Sequence, residues 1–150
     1  MEIIDLKNHD IEIYHDKMVD LLQQSFKQSF PNKTIEIQEF DNRLKKLKEY
    51  LAEGKTKVFS VIEEDSLCGF IWFFIKDSNT IHINHFSINK DARGKGIGRK
   101  LIEAVEKFAF ENQIDEIELL VTMSNDEAIG FYKKNNFKTE RLVMKKRLIK

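Results

Sequence analysis

The sequence predicts a mixed α/β domain, a mostly antiparallel sheet covered by helices. Three observations carry this. Up to Gly54, apolar residues recur at three- and four-residue steps; after it they switch to strand-like runs and alternation. Three such runs then follow one another through short polar turns, the pattern of an antiparallel meander. A glycine-rich loop, a helical stretch and a further alternating run come next, as in a strand–helix–strand crossover.

The elements follow in order. Met18, Leu21, Leu22, Ser25 and Phe26 share one face of a first helix. Pro31, the only proline, separates it from a second helix faced by Ile37, Phe40, Leu44, Leu47 and Leu51, which ends at Gly54. Phe26, Phe30 and Phe40 are core residues or line a cleft formed by these helices, the strand around Asn84–His85 and the final strands. Lys57 to Ile62 is a strand, and Glu63 to Ser66 a turn. Leu67 to Ile75 is almost wholly apolar, as in a strand buried on both faces. Cys68 within it reads as a small buried hydrophobe. Thr80 to Ile88 is a strand with the polar insertions His82, Asn84, His85 and Ser87. Leu101, Ile102, Val105, Phe108 and Ala109 form the buried stripe of the helix after the glycine-rich loop. Ile117, Leu119, Val121 and Met123 alternate as a strand. Ser124 and Glu127 fit a capping box opening a helix to about Asn135. Leu142, Met144 and Leu148 suggest a last strand.

The chain has 150 residues, 41% of them apolar and twelve of them Phe, which suits one folded domain over residues 1–150. A single Cys excludes an intrachain disulfide framework and a multi-Cys zinc site. The 25 basic and 25 acidic side chains cancel, so bulk charge does not draw the chain to nucleic acid or an anionic membrane. Met1 to Asp10 has no basic start and no long apolar run, unlike a signal peptide. A soluble, cytoplasmic protein is expected.

The strongest chemical signal is Arg93-Gly94-Lys95-Gly96-Ile97-Gly98. Glycines between a strand and a helix let backbone N–H groups converge, and the helix N-terminus adds partial positive charge. Arg93, Lys95, Arg99 and Lys100 add formal charge, so the loop suits phosphate or pyrophosphate. It is not a P-loop, because Gly98 is followed by Arg99 and Lys100 with no hydroxyl for magnesium. Its G-x-G-x-G spacing also departs from the Rossmann fingerprint.

This loop resembles the (Gln/Arg)-x-x-Gly-x-(Gly/Ala) signature of the GNAT superfamily of acyl-CoA-dependent N-acyltransferases. Asn125-Asp126-Glu127-Ala128-Ile129-Gly130-Phe131-Tyr132, followed by Asn136-Phe137, is similar to that family's N-x-x-A-x-x-F-Y-x-x-x-G-F ending. The likeness covers about residues 80–137. It implies a GNAT-like sheet with a splayed parallel strand pair, here Thr80–Ile88 and Ile117–Met123. It implies acetyl-CoA as acyl donor. Arg93, Gly94, Lys95, Gly96, Ile97 and Gly98 would hold the pyrophosphate, and the backbone of Phe86 and Ile88 would pair with the pantetheine amides. Asn125 would contact the cofactor arm, or cap the helix, or both. Tyr132 matches the general acid that protonates the leaving thiolate.

The base departs from the pattern. Where many members carry Glu or Asp, Asn84 and His85 stand. His82 and His85 can both take a proton, and His85 is the candidate base beside Tyr132, with His82, a water relay or no base at all as the alternatives. Three apart in a strand, the two histidines point to opposite faces unless a bulge intervenes, so at most one is expected at the reaction. Asn136 replaces a glycine at a left-handed helix exit, a place Asn tolerates. The acceptor would be a small-molecule amine or a peptide N-terminus, attacking directly, with no nucleic acid, membrane or metal involved. An exposed sheet edge could support a homodimer. The alternative is a non-catalytic acyl-CoA-binding sensor or scaffold of the same fold.

Overall fold

The computed structural model describes residues 2–149. Its elements are β1 (Ile3–Asp5), α1 (Asn8–Ile13), α2 (His15–Ser29), α3 (Ile37–Ala52), β2 (Thr56–Glu63), β3 (Ser66–Asp77) and β4 (Thr80–Ile88). A 3-10 turn (Lys90–Ala92), α4 (Ile97–Glu111), β5 (Glu116–Leu119) and α5 (Asp126–Lys134) complete the order. The five strands form one sheet in sequence order. β1 to β4 are antiparallel neighbours, and β4 and β5 are parallel. The mixed fold, its meander and its parallel pair are as the sequence predicts.

Helices cover both faces of the sheet. Phe40, Leu44 and Leu47 of α3 and Met18, Leu21 and Leu22 of α2 are buried against Val58, Phe70 and Trp72. Leu101, Ile102, Val105 and Ala109 of α4 are buried against Val61, Ile71, Phe73, Ile81 and Ile83. Successive β3 residues therefore enter different cores, as the pleat requires and as an apolar run without alternation needs. Each fully buried large side chain is worth about 1.5–3 kcal/mol over exposure. α3 stops at Gly54 as predicted. The Lys55 N–H reaches the Tyr50 carbonyl (3.0 Å) and the Gly54 N–H that of Leu51 (3.1 Å), with Gly54 at φ +72°. This is a Schellman cap, and it needs the left-handed residue that Gly supplies.

The sequence reading differs in four places. β1 and α1 were not expected. Ile3, Ile4 and Asp5 pair with Val61, Ser60 and Phe59, and Leu6 and Ile11 anchor this start in the core. Second, β5 ends at Leu119 rather than Met123, because its pairing with β4 ends at Ile83; Leu120 and Met123 lie 79% and 77% exposed. Third, the expected Ser124–Glu127 capping box does not form; the cap is Asn125, the other reading the sequence offers, its Oδ1 accepting from the Ala128 N–H at 3.2 Å. Fourth, the expected last strand over 142–148 has no pairing partner among the described residues and is exposed.

Candidate active site

Gly94 and Gly96 both adopt φ +80°, and Gly96 caps the start of α4. Two left-handed residues separated by one turn the loop's amides outward. The first helical bond is Lys100 N–H to the Gly96 carbonyl, at 3.1 Å. The N–H groups of residues 94 to 99 thus donate to no acceptor among the described residues. Six successive free amides at the N-terminus of a helix make a cradle for an anion. Gly98 has a different task. A Cβ there would lie 3.0 Å from the Phe131 ring and 3.4 Å from Phe86, so glycine lets α4 sit directly on α5 and β4.

The strands beside this loop part company. β4 and β5 are paired from Thr80↔Glu116 to Ile83↔Leu119, and no further. Phe73 pairs with Ile83 but Trp72 with His85, which leaves Asn84 as the extra residue of a β-bulge. Beyond it β4 runs on through Phe86 and Ile88 with the edge toward β5 uncovered. The result is a wedge-shaped gap that opens toward the glycine loop and α5.

The bulge also decides where the histidines go. His85 lies against Trp72 (ring centroids 5.1 Å apart) and His82 against Phe74 (5.4 Å), so both share the sheet face that Trp72 and Phe74 occupy. The exception to strict alternation is the one that holds. Burial, with the Arg43 guanidinium adding, lowers the His85 pKa to about 4. His82 bonds through Nδ1 to Glu118, which Lys76 also grips at 3.2 Å. The bond from His82 and the nearby Lys76 hold the Glu118 carboxyl below its ordinary range.

Tyr132 is set on the inner side of α5 by a second Schellman cap. The Phe137 N–H bonds the Tyr132 carbonyl at 3.0 Å and the Asn136 N–H that of Lys133 at 3.1 Å, with Asn136 at φ +69°. The Phe137 ring then packs on Tyr132 (5.5 Å), as the apolar contact of such a cap does. Phe86 (6.2 Å) and Phe131 (5.7 Å) enclose the other sides. Burial pushes the phenol up to about 12, and its hydroxyl bonds no other described residue.

One residue was missed entirely. Gln28, at the end of α2, donates to Glu127 Oε2 (3.0 Å) and Asn125 Oδ1 (3.4 Å) and accepts from Arg93 (3.3 Å). Arg93 also bonds Glu127 at 3.3 Å, and Asn125 donates to Ser29 Oγ at 3.3 Å. Arg93 and Asn125, the heads of the two motifs, are thereby tied together through α2. Nothing in the sequence near Gln28 marks it, since its partners lie 65 to 99 residues away.

The profile of the acetyltransferase (GNAT) family matches residues 15–137, most of the chain. The chain belongs to this family. Among curated relatives, it is 27% identical over 100 residues to the acetyltransferase PseH of Campylobacter jejuni, covering 66% of this chain and 62% of that protein. It is 35% identical over 66 residues to the acetyltransferase ECA0875 of Pectobacterium atrosepticum, 43% of this chain and 47% of that one. The chain thus spans about half to three-fifths of the length of these relatives. In fold it is similar to a variant of the BH1408 protein of Bacillus halodurans (TM-score 0.82, 20% identity, 99% of this chain and all of the other). The PaiA N-acetyltransferase of Thermoplasma acidophilum, solved with coenzyme A, superposes with TM-score 0.78 at 23% identity over 93% and 90% of the two chains.

Within this GNAT domain Gly130 is unexplained by packing, since a Cβ there would meet nothing within 4 Å. Gly130→Ala is expected to stabilise the domain by about 1 kcal/mol, read as a higher Tm. An unchanged or lower Tm would show that Gly130 has a backbone role in α5.

Proposed function

We propose that this GNAT protein transfers an acetyl group from acetyl-CoA directly to an amine, a small molecule or a peptide N-terminus, in the cytoplasm. The observation that carries the reading is the run of free amides from Gly94 to Arg99 beside the gap between β4 and β5. The cradle fits a pyrophosphate: a side chain at 94 or 96 would force the backbone out of the conformation that aims the amides. Gly94, Lys95, Gly96, Ile97 and Gly98 bind the diphosphate. Arg93 braces the loop against α5 through Glu127. The uncovered backbone of Phe86 and Ile88 receives the pantetheine arm as an added strand. Asn125 closes the arm's far side while it caps α5.

Tyr132 faces the departing sulfur as general acid. His85, next to the bulge, is the base. An alkyl amine with pKa ~10.4 is neutral at pH 7 in about one molecule in 2,500, a cost of roughly 4.6 kcal/mol; an α-amine near 8 costs only about 1.4 kcal/mol. A histidine at about 4 is too weak to strip an alkylammonium, so it serves an amine that arrives neutral and takes the proton released on attack. This favours low-pKa acceptors such as peptide N-termini and amino sugars. kcat/KM should then fall with unit slope below the amine's own pKa and steepen to a slope of two near pH 4, where the imidazole charges. His85→Ala should keep the amine's limb and remove the second step; a second step near pH 4 that survives in the variant excludes His85 as base.

One observation favours a second reading, a non-catalytic acyl-CoA sensor: β4 presents no carboxylate near the bulge. Thiol release from acetyl-CoA, measured across a panel of amines, peptides and amino sugars, separates the two. Acceptor-dependent release supports the enzyme. CoA binding without release across the panel supports the sensor.

A further inference from the structure

Arg43, on α3, is an arginine without a partner. Arg93 is paired with Glu127 and Arg99 with Glu103. The Arg43 guanidinium makes no ion pair or hydrogen bond with any described residue, and Glu39, one turn before it, does not pair with it. It is half-buried and lies over the Phe40 ring, 5.5 Å from the centroid.

The neighbours of Phe40 fix where that charge stands. Phe40 meets Phe26 edge-on at 6.2 Å, and Ser25, the residue before Phe26, bonds Ser87 of β4 through their hydroxyls at 2.5 Å. Phe40 also shares a core with Trp72, against which His85 lies at 5.1 Å. The guanidinium is thereby brought to the stretch of β4 from His85 to Ser87, next to the bulge. Its charge reaches His85, and no carboxylate among the described residues acts on that histidine to offset it. Lys33, 4.9 Å above the Phe30 ring, adds a second cation without an ion pair to the same ring cluster, since Phe30 packs on Phe26 at 5.2 Å. Such surroundings repel a polycation and attract an anion. A guanidinium fork matches the paired oxygens of phosphate or carboxylate, and partial burial spares it much of the screening of a surface charge.

We propose that Arg43 is the residue that selects the acceptor: the acceptor is an amine that also carries a phosphate or carboxylate, which the Arg43 guanidinium holds while the amino group lies at His85. The inference rests on the acetyl-transfer reading of the site.

Isothermal titration into the CoA-loaded chain tests it with two matched pairs, glucosamine 6-phosphate against glucosamine and the amide of Gly-Asp against that of Gly-Asn. The anionic member of at least one pair should bind about 10- to 100-fold more tightly, the range of a hydrogen bond between charged partners. Which pair does so tells phosphate from carboxylate. Arg43→Gln should bring that pair to equal affinity, and Arg43→Lys should keep part of the difference. Lys45 is exposed on the same helix and makes no ion pair; Lys45→Gln removes the same charge and should keep the whole difference. An Arg43 that only covers Phe40 would lower Tm in the Gln variant and leave the ratio within each pair as it was. Equal or undetectable binding of both members of both pairs overturns the proposal, as does an advantage that survives Arg43→Gln or disappears with Lys45→Gln. Thiol release from acetyl-CoA with the same amines is read separately. The anionic advantage without release keeps the anion site and overturns acetyl transfer; release without the advantage does the reverse.

Discussion

Tyr132→Phe is expected to lower kcat by about 10²-fold or more while leaving the Kd for acetyl-CoA within about twofold of wild type, the size of effect general acids contribute. The substitution is unusually clean. The ring cluster with Phe86, Phe131 and Phe137 survives in the variant, and the hydroxyl that is removed bonds no other described residue. Stability should therefore change by no more than about 0.5 kcal/mol. Stopped-flow or steady-state thiol release gives kcat, and direct titration gives Kd. A variant with normal kcat and weakened binding would remove Tyr132 from the chemistry and leave it as lining of the gap.

The pKa of about 12 bears on what Tyr132 would do as the proposed acid. With the thiol taken at the ~8.5 of a cysteine, complete proton transfer from the buried phenol is uphill by roughly 3.5 units, about 4.8 kcal/mol. As the proposed acid, Tyr132 would then act chiefly by donating a strong hydrogen bond as negative charge grows on sulfur, which the surrounding aromatic rings would leave poorly solvated. The sign of the pH dependence follows. The phenol is protonated everywhere below about 12, and kcat would fall only as pH rises through that value. Tyr132 should contribute no alkaline limb across the neutral and mildly alkaline range.

The parts of this molecule that were readable in its sequence are those fixed by local chemistry. The stripe Leu101–Ile102–Val105–Ala109 is buried because its spacing matches a helix turn, and Gly54 ends α3 because a Schellman cap needs a left-handed residue. Asn136 was readable for the same reason. β1 and α1 are too short to carry a period; they exist through the packing of Leu6 and Ile11, which only the folded core supplies. The shared face of His82 and His85 rests on a single extra residue, Asn84, and alternation alone assigns the opposite arrangement. The displaced pKa values of His85 and Tyr132 come from burial, a property of neighbours contributed by other elements. Gln28 joins three residues distant in sequence, and glutamine in a helix carries no sign of that. The spacing of Leu142, Met144 and Leu148 predicts a strand, but Val143 and Lys146 break the alternation, and the stretch pairs with no strand among the described residues.

Gly96→Val is expected to weaken CoA binding by about 100-fold or more. The reason is conformational. At φ +80° a Cβ at this position would touch nothing within 4 Å, so no clash is involved. A residue with a side chain costs about 1–2 kcal/mol in the left-handed region, and a β-branched one more, so the loop relaxes toward negative φ. That rotation changes the direction of the adjoining peptide, and with it the N–H groups that the proposed cradle would offer a diphosphate. Each hydrogen bond lost to a charged phosphate is worth about 1.5–3 kcal/mol, and two of them exceed the ~2.7 kcal/mol that 100-fold represents. Gly54 supplies the control. It has φ +72° and equally open surroundings but sits in the turn after α3. Gly54→Val should lower Tm through the same strain and leave CoA affinity unchanged. Isothermal titration of both variants separates the two effects. If Gly96→Val loses stability as Gly54→Val does yet binds CoA like wild type, the free amides are a tight turn between strand and helix and the diphosphate is held elsewhere.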